Sequence, residues 1–163
     1  MTIDKVRAVA MDVDGVLTDG TFWWGSNGEE FKRFCFADVT GIALAQKAGI
    51  RIALISGESS PAGMALVQRF ADKLKITDVH KGCHDKAAAV REFAAKHHLD
   101  LSELCFIGDD VIDIPAMAAV GLAVAPADAQ SGARSQAHMV TARNGGGGAV
   151  REVLDLILKK NNT

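Results

Sequence analysis

Residues 6–15 read Val-Arg-Ala-Val-Ala-Met-Asp-Val-Asp-Gly, an apolar run that stops at two acidic residues and a glycine. Its composition predicts a strand over Val6–Val13. Residues two apart on a strand point to one side, so Asp12 and Asp14 should face a single crevice. In an open α/β sheet that crevice lies beyond the carboxyl ends of the strands, where such sheets bind ligands. Two adjacent carboxylates repel unless a cation or a shared proton compensates, so the pair points to a metal ion or to an acid and a base with separate tasks. Taken alone, Asp-x-Asp-Gly reads equally well as two surface turn carboxylates.

Outward from this stretch, short apolar runs alternate with amphipathic segments. Strands are expected at Ile50–Ile55, Thr77–His80, Glu103–Ile107, Gly121–Ala125 and His138–Val140, with helices between them. That order predicts one α/β domain over 1–163, a Rossmann-like three-layer sandwich around a mainly parallel sheet. One helix should span Lys86–His98, capped by Asp85, with Ala89, Val90, Phe93 and Ala94 inward and Lys86, Arg91 and Lys96 on its polar face. Another should run from Gly148 to about Lys160 on a stripe of Val150, Val153, Leu154, Ile157 and Leu158, before a polar tail. The alternation breaks once. Thr21–Trp24 and Glu30–Phe34 flank Gly25-Ser26-Asn27-Gly28, a β-hairpin (about 21–34) inserted after the first strand. Its Trp and Phe side chains need cover, and another subunit is the natural candidate.

Composition narrows the function. The 163 residues are 48% hydrophobic and 23% charged, within the range of one globular domain. With 18 basic and 20 acidic residues the net charge is -2, which leaves no overall field to gather nucleic acid or an anionic membrane. No apolar stretch reaches the roughly 18–20 residues of a membrane span and no signal-peptide pattern opens the chain, so a cytoplasmic location is expected. Cys35, Cys83 and Cys105 are an odd number without a Cys-x-x-Cys pair, so reduced thiols are expected.

A second acidic cluster, Gly108-Asp109-Asp110-Val111-Ile112-Asp113, follows the apolar run Leu104–Ile107 at the same predicted sheet edge. Five carboxylates would then converge, and hard oxygen donors at that density suit Mg2+. Asp109, nearest the strand end, is the best direct ligand. Asp113, one turn on, would orient a ligand or a metal-bound water, and Asp110 would do likewise or cap the helix. Between the clusters, Ser56 and Gly57 end the strand Ile50–Ile55, and Lys86 opens a helix. A hydroxyl, free amides and a lysine at a helix N-terminus all suit phosphoryl oxygens.

In order, DVDG, the Ser of LISGE, the Lys of HDK and GDDVID resemble the four motifs of the haloacid dehalogenase superfamily of phosphotransferases, over Asp12 to Asp113. The resemblance implies that Asp12 attacks phosphorus to form an aspartyl-phosphate. It implies too that Asp14 protonates the leaving oxygen and then activates water, and that Ser56 and Lys86 hold the phosphoryl group. Mg2+ would be bound by Asp12, the backbone carbonyl of Asp14 and Asp109. The intervals between motifs are too short for a cap domain.

The longer string DVDGVLTDG, the hairpin, Asp38 with Gly41-Ile42, VGLAVAPADA and GAVRE are similar to a narrower family covering nearly the whole chain. It comprises the 3-deoxy-D-manno-octulosonate 8-phosphate phosphatases and relatives acting on nine-carbon sugar-acid 9-phosphates. This implies a homotetramer joined through hairpins, a neighbouring subunit closing each site, and a phosphorylated sugar acid as substrate. Two places depart from the octulosonate pattern, since Glu58 and Gly147 stand where arginines are common. Glu58 is more reminiscent of the nine-carbon branch, the stretch Ser59–Gly63 looks longer than usual, and Arg69 or Arg143 is a candidate substitute charge near the sugar.

Other constellations weigh less. His80, Cys83 and His84 lack a fourth ligand for zinc, and a loop shaped to place Lys86 explains them. His97-His98 sits where imidazoles suit a helix C-terminus. Gly145–Gly148 reads as a mobile loop at the pocket rim or as a simple connector. A phospho-acceptor receiver also gathers acids, a Ser/Thr and a Lys around magnesium, but it carries its acceptor Asp alone on a middle strand. A catalytically idle tetrameric module would not need Asp12, Asp14, Ser56, Lys86 and Asp109 together.

Overall fold

The computed structural model describes residues 3–161. Six parallel strands form the sheet: β1 (Ala8–Met11), β4 (Arg51–Ile55), β5 (Asp78–His80), β6 (Leu104–Ile107), β7 (Leu122–Ala125) and β8 (Met139–Val140). Their order is β5-β4-β1-β6-β7-β8. A separate two-stranded ribbon pairs β2 (Trp23–Trp24) with β3 (Glu30–Phe31). The helices are α1 (Phe36–Lys47), α2 (Pro61–Leu74), α3 (Lys86–Lys96), α4 (Ile114–Ala119), α5 (Ser131–Gln136) and α6 (Ala149–Asn161). Helix α6 takes in Asn161, and the rest of the predicted polar tail, 162–163, lies outside the described residues.

Alternation along β1 explains the two layers. Val9 and Met11 face one side and join Ile42, Ala45, Val67, Phe70, Val150, Val153, Leu154 and Ile157 of α1, α2 and α6. Ala8 and Ala10 face the other and join Ala89, Val90, Phe93, Met117 and Ala133 of α3, α4 and α5. Both faces are covered, as a parallel sheet requires, and small residues on the second face let its helices approach closely.

Three predicted boundaries fail for informative reasons. The first strand ends at Met11, not Val13, because the Val13 carbonyl accepts from the amides of Val16, Leu17 and Thr18 and turns the chain. Asp14 is therefore in a loop, and the strand argument for a shared side does not apply to it. The hairpin strands are also shorter than Thr21–Trp24 and Glu30–Phe34. Beyond Phe31 the chain leaves the ribbon: Phe34 stacks on Phe70 with ring centroids 4.5 Å apart, and the Lys32 side chain is buried. At the end of α3, His98 adopts φ 54°, so the helix stops at Lys96, and His97 bonds Asp78 through Nε2 at 2.9 Å.

Candidate active site

Three adjacent strands, β4, β1 and β6, end at Ser56, Asp12 and Gly108-Asp109. Their carboxyl ends thus bring together residues up to 97 positions apart, the expected place for a ligand crevice. A cavity of about 240 Å³ opens there, lined by Asp12, Asp14, Gly57, Glu58, Asp109 and Asp110 among others.

Asp12 is almost wholly buried. Its Oδ1 accepts from the Val13 amide at 2.7 Å and its Oδ2 lies 2.7 Å from Lys86 Nζ. Burial, reinforced by the Asp113 charge, pushes its pKa up to about 7, against the pull of Lys86. Lys86 itself is fully buried, which corrects its expected place on the polar face of α3. As the first residue of that helix it turns back under the sheet edge, between Asp12 and Asp113 (2.6 Å). Burial disfavours its ammonium, but those two carboxylates outweigh it and hold its pKa above the ordinary lysine value.

Asp109 carries the unsatisfied valence. Its Oδ1 is buried with no hydrogen-bond partner, and burial together with Asp12, Asp113 and Asp110 raises its pKa to about 7. Carboxylate oxygens of Asp12, Asp109 and Asp113 lie within 4.8 Å of one another, the one group able to hold a metal ion among the described residues. An unpaired buried oxygen beside two further carboxylates is a donor set that suits Mg2+. Asp113 is already engaged: Oδ1 takes Lys86, and Oδ2 accepts the amides of Asp109 (2.9 Å) and Asp110 (3.2 Å). It therefore shapes the loop and orients Lys86. Asp110 Oδ1 accepts from Val111 N at 2.6 Å and caps the short turn that follows.

The loop after β1 is shaped by residues with no charge. Gly15 has φ 86°, and a β-carbon there would collide with the Asp109 carboxylate. Thr18, fully buried, accepts through Oγ1 from the amides of Gly15 and Gly20, both at 3.2 Å. Ser56 Oγ accepts from Glu58 N at 3.1 Å, which leaves its own proton to donate. The backbone at Ser56 and Glu58 is fastened to Cys83 and Gly82, so the His80–His84 loop does place Lys86.

Of the substrate-side candidates, Gly57 and Glu58 line the crevice and Arg69 does not. Arg69 is exposed in a neighbouring cavity with Phe34, Phe36, Phe70 and Lys73, and Arg143 lines another with Arg151 and Glu152. Glu58 accepts from Ser60 N at 2.8 Å, so part of its work is to fasten the start of α2, where Ser60 Oγ in turn caps Gly63 N. Gly145–Gly148 is a packed connector: Gly145 and Gly146 are buried, and a β-carbon on Gly145 would strike the Gly15 carbonyl.

Sequence reasoning missed Lys32. It follows β3, its side chain is 2% exposed, and Nζ sits 2.9 Å from Asp14 Oδ1 and 3.3 Å from Glu58 Oε2. Burial works against its charge, yet Asp14 and Glu58 keep its pKa above the ordinary value. The signal was weak, since one lysine in an aromatic strand reads as solvent-facing.

Residues 63–154 match the family of haloacid dehalogenase-like hydrolases. The chain belongs to this family, and is with it a phosphoric monoester hydrolase. Among its relatives, the 3-deoxy-D-manno-octulosonate 8-phosphate phosphatase of Yersinia pestis is 42% identical over 154 residues, covering 94% of this chain and 80% of that protein. The phosphatase of that name from Moraxella catarrhalis, solved with a magnesium ion, a phosphate ion and KDO, superposes with a TM-score of 0.92 at 36% identity over 98% of this chain and 90% of that one. The cobalt-bound phosphatase from Haemophilus influenzae gives 0.91 at 34% identity over 98% and 91%. No cap domain interrupts the described residues.

Proposed function

We propose that the protein hydrolyses 3-deoxy-D-manno-octulosonate 8-phosphate with Mg2+. The observation that carries this reading is the buried Asp12–Lys86–Asp113 array beside the unpaired Asp109 oxygen, in a chain 42% identical to the Yersinia pestis enzyme. Asp12 Oδ attacks phosphorus as the bond to the sugar oxygen breaks, and Asp14 donates the proton that oxygen needs. Asp14 then takes a proton from the water that attacks the aspartyl-phosphate, releasing phosphate and restoring Asp12. Ser56, the Gly57 amide and Lys86 hold the phosphoryl oxygens, while Asp113 keeps Lys86 in place. The Asp12 and Asp109 carboxylates and the Asp14 carbonyl would hold Mg2+, which would supply positive charge against the phosphoryl oxygens.

A cavity of about 240 Å³ is at the low end for a whole small-molecule site, so the sugar extends past it. We assign the missing cover to a neighbouring subunit of a homotetramer joined through the hairpins. Trp23 and Trp24 are 69% and 72% exposed, with Phe22 packed on Trp24 at 4.9 Å between centroids. A cytoplasmic place in lipopolysaccharide precursor synthesis follows from that substrate. No helix among the described residues is long and apolar enough to cross a membrane.

Glu58 favours a second substrate. A carboxylate at the crevice, where the octulosonate pattern has an arginine, is reminiscent of enzymes acting on nonulosonate 9-phosphates. Phosphate release with Mg2+, compared as kcat/KM for the two sugar-acid phosphates and for hexose phosphates, decides between them. A preference for the octulosonate ester supports the first reading. A preference for the nine-carbon ester replaces it, and equal rates on all reject both.

A further inference from the structure

We infer that Lys32, outside every motif of the site, is the positioning residue for Asp14; this rests on the acid and base role proposed for Asp14 above. Lys32 is the sole hydrogen-bond partner of the Asp14 carboxylate among the described residues, at 2.9 Å from Oδ1 and 3.0 Å from Oδ2. The Asp14 side chain is 35% exposed, so without this anchor it would sample several rotamers at the mouth of the crevice. Asp12, by contrast, is fixed on both oxygens by Val13 N and Lys86. Each reacting carboxylate thus has its own buried lysine, Lys86 from α3 for Asp12 and Lys32 from the hairpin for Asp14.

The surroundings argue that Lys32 is built for this place. A lysine with a side chain 2% exposed is costly unless its donors are met, and here Glu58 Oε2 at 3.3 Å adds a second acceptor to Asp14, with Glu30 Oε1 a further ion-pair neighbour at 3.6 Å. Glu58 is itself fixed by Ser60 N, so Lys32 is held from the start of α2 as well as by Glu30 of the strand that precedes it. The hairpin with the exposed tryptophans therefore reaches its own subunit's chemistry through one ammonium group. Positioning matters here because proton transfer requires the acid within hydrogen-bond reach of the leaving oxygen, and a displacement of about 1 Å is enough to lose on the order of 10²-fold in rate.

The test compares two esters with the full-length protein and Mg2+. The leaving oxygen of a sugar phosphate needs a proton, whereas the nitrophenolate of p-nitrophenyl phosphate leaves without one. kcat/KM covers the steps up to aspartyl-phosphate formation. Lys32→Met, which keeps the aliphatic stem, should lower kcat/KM for the sugar ester on the order of 10²-fold and for the aryl ester only a few-fold. Lys32→Arg should recover most of the loss. Arg33→Ala, on the same segment, should leave the ratio of the two esters unchanged. Equal loss on both esters in Lys32→Met marks a merely structural role and overturns the inference. If Lys32→Met aggregates, Lys32→Gln, neutral but still a donor, is read by the same ratio. Asp14→Asn separates the two claims. If it does not discriminate between the esters, the acid role of Asp14 fails and this inference with it; if it does while Lys32→Met does not, only the role of Lys32 fails.

Discussion

The Lys86 ammonium lies 2.7 Å from Asp12 Oδ2, inside the protein, with a side chain 1% exposed. On the proposed mechanism this pair joins stability and chemistry, because the charge that would activate Asp12 for attack is also what allows it to be buried. Lys86→Met would leave Asp12 and Asp113 facing each other without a cation. Breaking such a pair costs about 3–5 kcal/mol, partly relieved here by protonation of Asp12, and removing one donor to the phosphoryl group lowers turnover about 10²–10³-fold. Asp12→Asn should behave oppositely in stability. It removes the group whose charged form burial opposes, so turnover is abolished while the unfolding midpoint without metal holds or rises. Urea unfolding and phosphate release on both variants check this contrast.

Magnesium and pH should act together. Asp12 and Asp109 have folded pKa values near 7, above the unfolded carboxyl value of about 3.9. Between these limits the folded state binds more protons than the unfolded one, so the stability of metal-free protein falls as pH rises from about 4 to 7. Mg2+ held by the deprotonated pair would offset that loss, so the shift in unfolding temperature on adding it should be small at pH 5 and on the order of several °C at pH 8. A shift independent of pH would mean that these carboxylates do not hold the ion.

Gly15→Ala tests the loop. The backbone there has φ 86°, and the new methyl group would enter the space of the Asp109 carboxylate. The strain costs about 1–2 kcal/mol. The displaced Asp109 should raise the Mg2+ concentration for half-maximal activity by about tenfold or more, a loss of roughly 1.4 kcal/mol in metal binding. Metal titration of activity, alongside thermal unfolding, separates the two effects.

The hairpin aromatics should govern assembly. Trp23→Ser with Trp24→Ser removes the two most exposed rings of the ribbon. Size-exclusion chromatography with light scattering should find a tetramer in the parent and smaller species in the variant, with KM for the sugar ester raised more than KM for p-nitrophenyl phosphate. A monomeric parent would remove the neighbouring subunit from the site.

Much of this was legible in order along the chain. Local apolar runs with a period of two or of 3.6 depend on near neighbours, so the strand and helix sequence could be read directly, as could Asp12, Ser56, Lys86 and Asp109 at strand or helix ends. Asp14 was found for a reason that does not hold, since it sits in a turn made by the Val13 carbonyl, not on the strand. The sequence by itself determined which chemical groups are present and at which ends of the elements they fall. Tertiary structure alone decided what those groups touch: that Lys86 is buried between two acids, that Asp113 is spent on Lys86 and two amides, that Arg69 is outside the crevice and that Lys32 is beside Asp14. The lysine contacts among these join residues 18 to 74 positions apart, and depend on how far desolvation and ion pairing balance there, which no local pattern encodes.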